Sequence, residues 1–467
     1  MTAENSDRIG RARAARALRR GLVLIGLVSA WGSGCSSKHE EPSHPSGGNA
    51  GTQAGGRSGA GGGGGALAGG SGEAGEGGTA MAGAQSEGGS AEAGDQGEGG
   101  TAAGAAGQGN CGPRDLSCKT LVSCAIAPVT ATLSTVIPSV AAITFTTDFA
   151  PVDGGFIQFG VDADYTLEAP LDLAATNYRT LLLGMRPHTS YGYRIVLTSG
   201  DTYCEGGEGS IVTGALPSGT PADAVIAAGP STQPIAPGFV VTSQLAAPWL
   251  FILDDAGHVV WSYKLATTTL INNARMSYDG KFMYAFDRNE TGVTGQGRLY
   301  KLAMDGTGVT AINLPTSHHA FAPLPDGSIA YISKNGSDGN GTKPCNAIRI
   351  LQANGSDTLL VDLWPALSSF DSVSDYGELC HVNAIEYNAA DETLTVSDLY
   401  RDVFLKFTRA GHLVWSLGGS TSDFAVDLPW DGQYGHHMIS PNSIVFFNNW
   451  GPPGTAKDDP RALEFSL

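Results

Sequence analysis

Half of the histidines in this chain stand in three short clusters, and imidazole is the side chain best fitted to take up and pass on a group near neutral pH. Of ten in all, His318 and His319 fall in Ser317-His318-His319-Ala320-Phe321. His381 opens His381-Val382-Asn383, and His436 and His437 close Gln433-Tyr434-Gly435-His436-His437. Each cluster reads as a turn just before a strand. One imidazole can be a nucleophile while another gives or takes a proton. Equivalent turns of successive β-units arranged about an axis would point at one central pocket. A lone histidine beside a turn is usually a solvated loop residue, and three clusters in register argue against that here.

The elements that must position these turns are short strands. Trp249 to Tyr263 reads as a hairpin turning at Asp254-Asp255-Ala256-Gly257, and its phrase Ala256-Gly257-His258-Val259-Val260-Trp261 returns as Ala410-Gly411-His412-Leu413-Val414-Trp415. Tyr278-Asp279-Gly280-Lys281-Phe282-Met283-Tyr284 and Pro325-Asp326-Gly327-Ser328-Ile329-Ala330-Tyr331 repeat 47 residues apart. That spacing suits the four-stranded blade of a β-propeller, expected over 238–467. His258 and His412 tip turns on the wrong part of each blade to join the clusters. The sequence stops just after the strand-like run Arg461 to Ser466. An incomplete last blade is therefore expected, unless a strand from about Val225 to Val241 completes the ring.

Ahead of this region, residues 111–216 alternate in short runs such as Ala141 to Thr146 and Gly155 to Gly160, broken by Pro, Asp and Gly, the pattern of a β-sandwich. The stretch Leu183-Gly184-Met185-Arg186-Pro187-His188-Thr189-Ser190-Tyr191 resembles a fibronectin type III or Ig-like corner, which would bond the Tyr191 hydroxyl to nearby backbone. Residues 217–237 read as a linker.

At the start of the chain, Arg8, Arg11, Arg13, Arg16, Arg19 and Arg20 precede the apolar run Gly21 to Ala30, too short to span a bilayer at ~20 residues. The pattern is that of a signal peptide over 1–35. The small residues before Cys35 resemble a bacterial lipobox, so Cys35 is the expected lipidation site and the membrane is met only through that anchor. An exported chain tied to the outer membrane, periplasmic or cell-surface, follows. Residues 36–110 are almost all Gly, Ala, Ser, Glu and Gln, a tether unable to offset its own ordering entropy. A net charge of -18 with no basic stripe excludes nucleic acid as partner. Six cysteines follow Cys35, an even number that favours disulfides in an exported chain. Cys111, Cys118, Cys124 and Cys204 lie in the sandwich region, leaving Cys345 and Cys380 to brace the segment that carries His381. No CxxC pair or His-x-x-x-His occurs, so no zinc site is expected.

From about Val225 onward the chain resembles the bacterial arylsulfate sulfotransferases, whose six-bladed propeller follows a small β-sandwich. The resemblance rests on His381-Val382-Asn383-Ala384-Ile385-Glu386-Tyr387, similar to the family's His-x-Asn-hydrophobic motif. It rests also on His318-His319 before Leu324-Pro325-Asp326-Gly327, and on Gln433 to Asn449, similar to the segment holding the nucleophilic histidine. Two positions depart from the family: its histidine after Gln falls on Tyr434, and its arginine on Leu399, with Arg401 two residues further on. The resemblance implies transfer of a sulfuryl group from a phenolic sulfate to a phenol through a sulfohistidine, with no nucleotide, metal or other cofactor. His437, ahead of His436, is the expected nucleophile and His381 the general acid. His319 and Arg401 would stabilise charge on the sulfuryl oxygens, and His318, Asn383 and Tyr434 would contact substrate. The other reading is a surface lipoprotein whose propeller binds a ligand without turning it over.

Overall fold

The computed structural model describes residues 24–25 and 114–467, apart from 163, 225–236, 245–246, 268–269, 289–295, 338–343, 372–378, 427–429 and 451–459. Cys35, Cys111 and the stretch expected to be a tether lie outside these residues. Leu24–Ile25, within the expected leader, runs parallel to Phe239–Val240.

Five antiparallel sheets follow one another from Phe239 to the C-terminus. Their first strands are β1 (Phe239–Ser243), β2 (Leu270–Met276), β3 (Ser317–Pro323), β4 (Val382–Asn388) and β5 (Asp431–Ser440). Each of these touches the first strand of the next sheet, so the five line a common axis in a propeller-type arrangement. The second, third and fourth sheets have four strands each and the fifth has three, ending on Arg461–Ser466. The described residues thus give five such sheets in place of the six the family resemblance implied, with a short last one.

The repeated phrases are turns at fixed places in this plan. Asp279-Gly280 and Asp326-Gly327 join first to second strands, and Ala256-Gly257 and Ala410-Gly411 join the last two strands of the first and fourth sheets. Gly257 and Gly411 sit at φ 85° and 82°, where a side chain would be strained. An inner strand is covered on both faces, so it shows no alternation: every residue of β4 is buried, Glu386 included.

Residues 120–212 form a five-stranded and a three-stranded sheet around Ile143, Ile157, Phe159, Leu182, Met185, Ile195 and Leu197. Cys124 pairs with Cys204 across this region. The Tyr191 hydroxyl accepts the Arg186 N–H at 2.8 Å, the bond the corner motif anticipates. Ile137 and Val140 leave this core for another, shared with Val241, Leu250, Trp261 and Met304 of the first two axial sheets. The two regions are therefore one packed unit. Arg186 reaches Asp254 at 2.7 Å and Arg179 reaches Asp305 at 2.6 Å across the seam.

Candidate active site on the inner strands

Four of the five inner strands carry a bulge, and the bulges decide which side chains face the axis. Pairing shifts between Ile271 and Asn273 on β2, between Ser317 and Phe321 on β3, between Val382 and Ala384 on β4, and between Tyr434 and His436 on β5. An extra residue re-aims everything after it by half a pleat. On β5 the bulge is at Gly435, whose φ of 49° suits a residue without a Cβ. Tyr434 and His437 consequently share the half-exposed face, while Gln433, His436 and Met438 are buried.

The clusters on β3 and β5, expected in turns, are thus within strands, whereas His381 stands just before β4 as expected. On β3 the distortion is larger, with Thr316 at φ 68° and His319 at φ 53°, uncommon for residues bearing a side chain. Neighbours on a regular strand point apart. Here the rings of His318 and His319 lie 3.8 Å apart, and their Nδ1 atoms are 2.9 Å apart. His381, just before β4, brings its ring to 4.8 Å from that of His319 and 5.4 Å from that of His318. Tyr434 stands 6.4 Å from His319, and Tyr400 lies 4.8 Å from His381.

A second arrangement lies further along the same strands. The buried Glu386 accepts a hydrogen bond from His437 Nδ1 on one carboxylate oxygen and from the Met438 N–H at 2.8 Å on the other. Burial works against ionisation of Glu386, but the hydrogen bond from His437 and the positive charge of Arg275 hold its carboxyl below the usual value. The carboxylate can only accept, so Nδ1 of His437 carries the proton and Nε2 is left as the nucleophilic atom. His436 behaves otherwise. Burial pulls its imidazole down to about 4, its ring packs 5.3 Å from that of Phe404, and Nε2 donates to the Thr395 carbonyl at 3.1 Å. It is a neutral staple between the fourth and fifth sheets.

Other expected site residues hold these groups in place. Asn383 gives its Nδ2 to the Gln433 carbonyl at 2.8 Å and accepts from Ser397 Oγ at 2.5 Å. Gln433 returns a bond from Nε2 to the Asp398 carbonyl at 2.8 Å. Neither Leu399 nor Arg401 is on a strand, because the strand ends at Asp398 and the chain turns before Val403. Arg401 is 3% exposed and donates to the carbonyls of Leu367 and Leu379, with Asp398 at 3.4 Å. Asp398 in turn accepts the His381 N–H at 2.7 Å. The disulfide Cys345–Cys380 ties the residue before His381 to the third sheet, as the cysteine count suggested.

The structure therefore brings His318, His319, His381 and Tyr434 together, and sets His437 apart with Glu386. Glu386 is a candidate site residue that sequence reasoning missed as a side chain with a role. Its signal was its place on the strand that His381 leads into, about 17 Å further along at 3.3 Å per residue. Imidazoles able to carry a group and to move protons, on the inner strands of an all-β propeller-type scaffold, make this a candidate group-transfer centre. Residues 229–441 match the family model Arylsulfotransferase (ASST), so this region is similar to the arylsulfotransferase family. No curated protein gives a significant match. Among solved structures, the chain is similar to a catalytically inactive variant of virginiamycin B lyase from Staphylococcus aureus, with 11% identity over 70% of this chain and 88% of that one, at a TM-score of 0.32. It is similar also to a hydrazine synthase from Kuenenia stuttgartiensis, with 11% identity over 71% and 94% and a TM-score of 0.33. A Bacteroides thetaiotaomicron protein of unknown function gives 13% identity over 69% and 82%, at 0.33. At these scores the likenesses carry no argument.

Proposed function

We propose that this chain transfers a sulfuryl group from a phenolic sulfate ester to a phenol, by two steps through a sulfohistidine on His437 and without a nucleotide. The observation that carries this reading is the Glu386–His437 pair, in which a buried carboxylate fixes the tautomer of a half-exposed imidazole, 30% exposed. In the first step Nε2 attacks sulfur, the bond from sulfur to the aryl oxygen breaks, and the phenolate leaves and takes a proton from water. In the second, a phenol attacks the sulfur of the adduct, the N–S bond breaks to restore Nε2, and the phenol proton passes to water. Asn383 and Arg401 serve as positioning residues.

The reading extends to an exported protein, lipid-anchored at Cys35, acting on small phenolic molecules. Tyr434, standing where the family places a histidine, favours the second reading of a ligand-binding lipoprotein. Transfer from p-nitrophenyl sulfate to phenol separates the two. Wild type should release p-nitrophenol in proportion to added phenol, and His437→Ala should not; a wild type with no release supports the binding reading.

A further inference from the structure

We propose that His318, His319 and His381 form a site for one divalent transition ion, with zinc as its simplest occupant. The three offer ligand atoms that all lie within 4.8 Å of one another, and His318 and His319 are buried. A zinc ion bound at 2.0–2.1 Å in a tetrahedron spaces its ligands by roughly 3.3 Å. The observed spacings, from 2.9 Å for the Nδ1 pair to 4.8 Å at the widest, bracket that value. The Nδ1 contact needs one proton shared between two imidazoles, which an ion would displace on binding.

The donor set argues for the class of ion. Three imidazoles without a carboxylate suit zinc, copper, nickel or cobalt, and do not suit magnesium or calcium. Three protein ligands with one open position is the pattern of a catalytic zinc. The backbone is bent to achieve the set: His319 takes φ 53° inside a bulge, and this sets two adjacent rings side by side. The third ligand is held by the Asp398 bond to its N–H and by the neighbouring disulfide.

The binding site itself stands independently of transfer.

The test is cobalt(II) titration of the full chain after chelator treatment. The expected result is one equivalent bound with the strong visible absorption of four-coordinate cobalt, displaced by zinc. Affinity should fall more than about 100-fold in His319→Ala and in His381→Asn, and stay unchanged in the control His412→Ala. Should the cluster variants fail to fold by circular dichroism, X-ray absorption on the zinc-loaded wild type must show imidazole nitrogens around the ion. A weak six-coordinate spectrum, unchanged binding in both folded variants, or a zinc shell without imidazole overturns the proposal. Sulfate transfer measured on stripped and loaded chain separates the two readings. A cobalt signature without transfer leaves the metal site and removes the transferase reading; transfer by stripped chain without a signature does the reverse.

Discussion

Glu386 and His436 lie on facing inner strands, and burial acts on both, yet one is held ionised and the other neutral. The difference is in partners: Glu386 receives two donors, whereas Nδ1 of His436 meets none. Glu386→Gln keeps the shape but no longer fixes the His437 tautomer, so transfer should slow by roughly 10- to 100-fold. A kcat that falls while KM holds would show the pair acting on chemistry, not on binding. His436 makes a separate prediction about stability. Its imidazole is pulled from 6.5 to about 4 in the folded chain, so between those values the unfolded chain binds more protons and stability falls as pH drops. The loss across that window is about 3 kcal/mol. Asp402 works in the opposite sense, since burial raises its carboxyl to about 7 and the folded chain holds that proton longer. The comparison must therefore be wild type against His436→Gln: denaturant midpoints at pH 7 and 4.5 should differ less for the variant. An identical acid loss would show that His436 does not titrate as described.

At the scale of the strand, the turns were legible and the bulges were not. Asp-Gly pairs and the Ala-Gly-His phrase mark turns because only certain residues tolerate their backbone, and these recur with the sheets. The inner-strand histidines were legible as a set, since their types recur at the start of successive units. Their facing was not, because parity along a strand depends on an inserted residue that no local propensity announces. Gly435 is the case in point: without it, alternation would put His436, not His437, on the face of Tyr434. Arg401 was misplaced for the related reason that its strand ends at Asp398. Deleting Gly435 should reverse the facing and cut transfer at least about 100-fold, with the far-ultraviolet circular dichroism unchanged. Full activity in that variant would contradict the bulge as the device that aims His437. The disulfide belongs to this scale too. Replacing Cys345 and Cys380 by serine should lower stability by about 2–4 kcal/mol, read as a shift in denaturant midpoint, and release the segment before His381.

Across the whole molecule, the sandwich and the axial sheets share apolar core at Ile137, Val140, Trp261 and Met304, and this burial outweighs the partly exposed ion pairs at the seam, each worth little. The sandwich thereby steadies the first two axial sheets, whereas the clustered histidines stand on the third to fifth. At the start of the chain, the basic run and Cys35 predict lipid attachment. Labelling with a palmitate analogue should disappear in Cys35→Ala, and undiminished label would remove the anchor. The central claim is that His437 carries the sulfuryl group between donor and acceptor. It is tested most directly by mixing the protein with radiolabelled p-nitrophenyl sulfate in the absence of phenol, quenching under alkaline conditions and locating the label by peptide. The account predicts label on His437 in the peptide that spans β5, absent in His437→Ala and discharged on adding phenol. Label on another residue, or phenol sulfate formed with no labelled protein at any time, would contradict it.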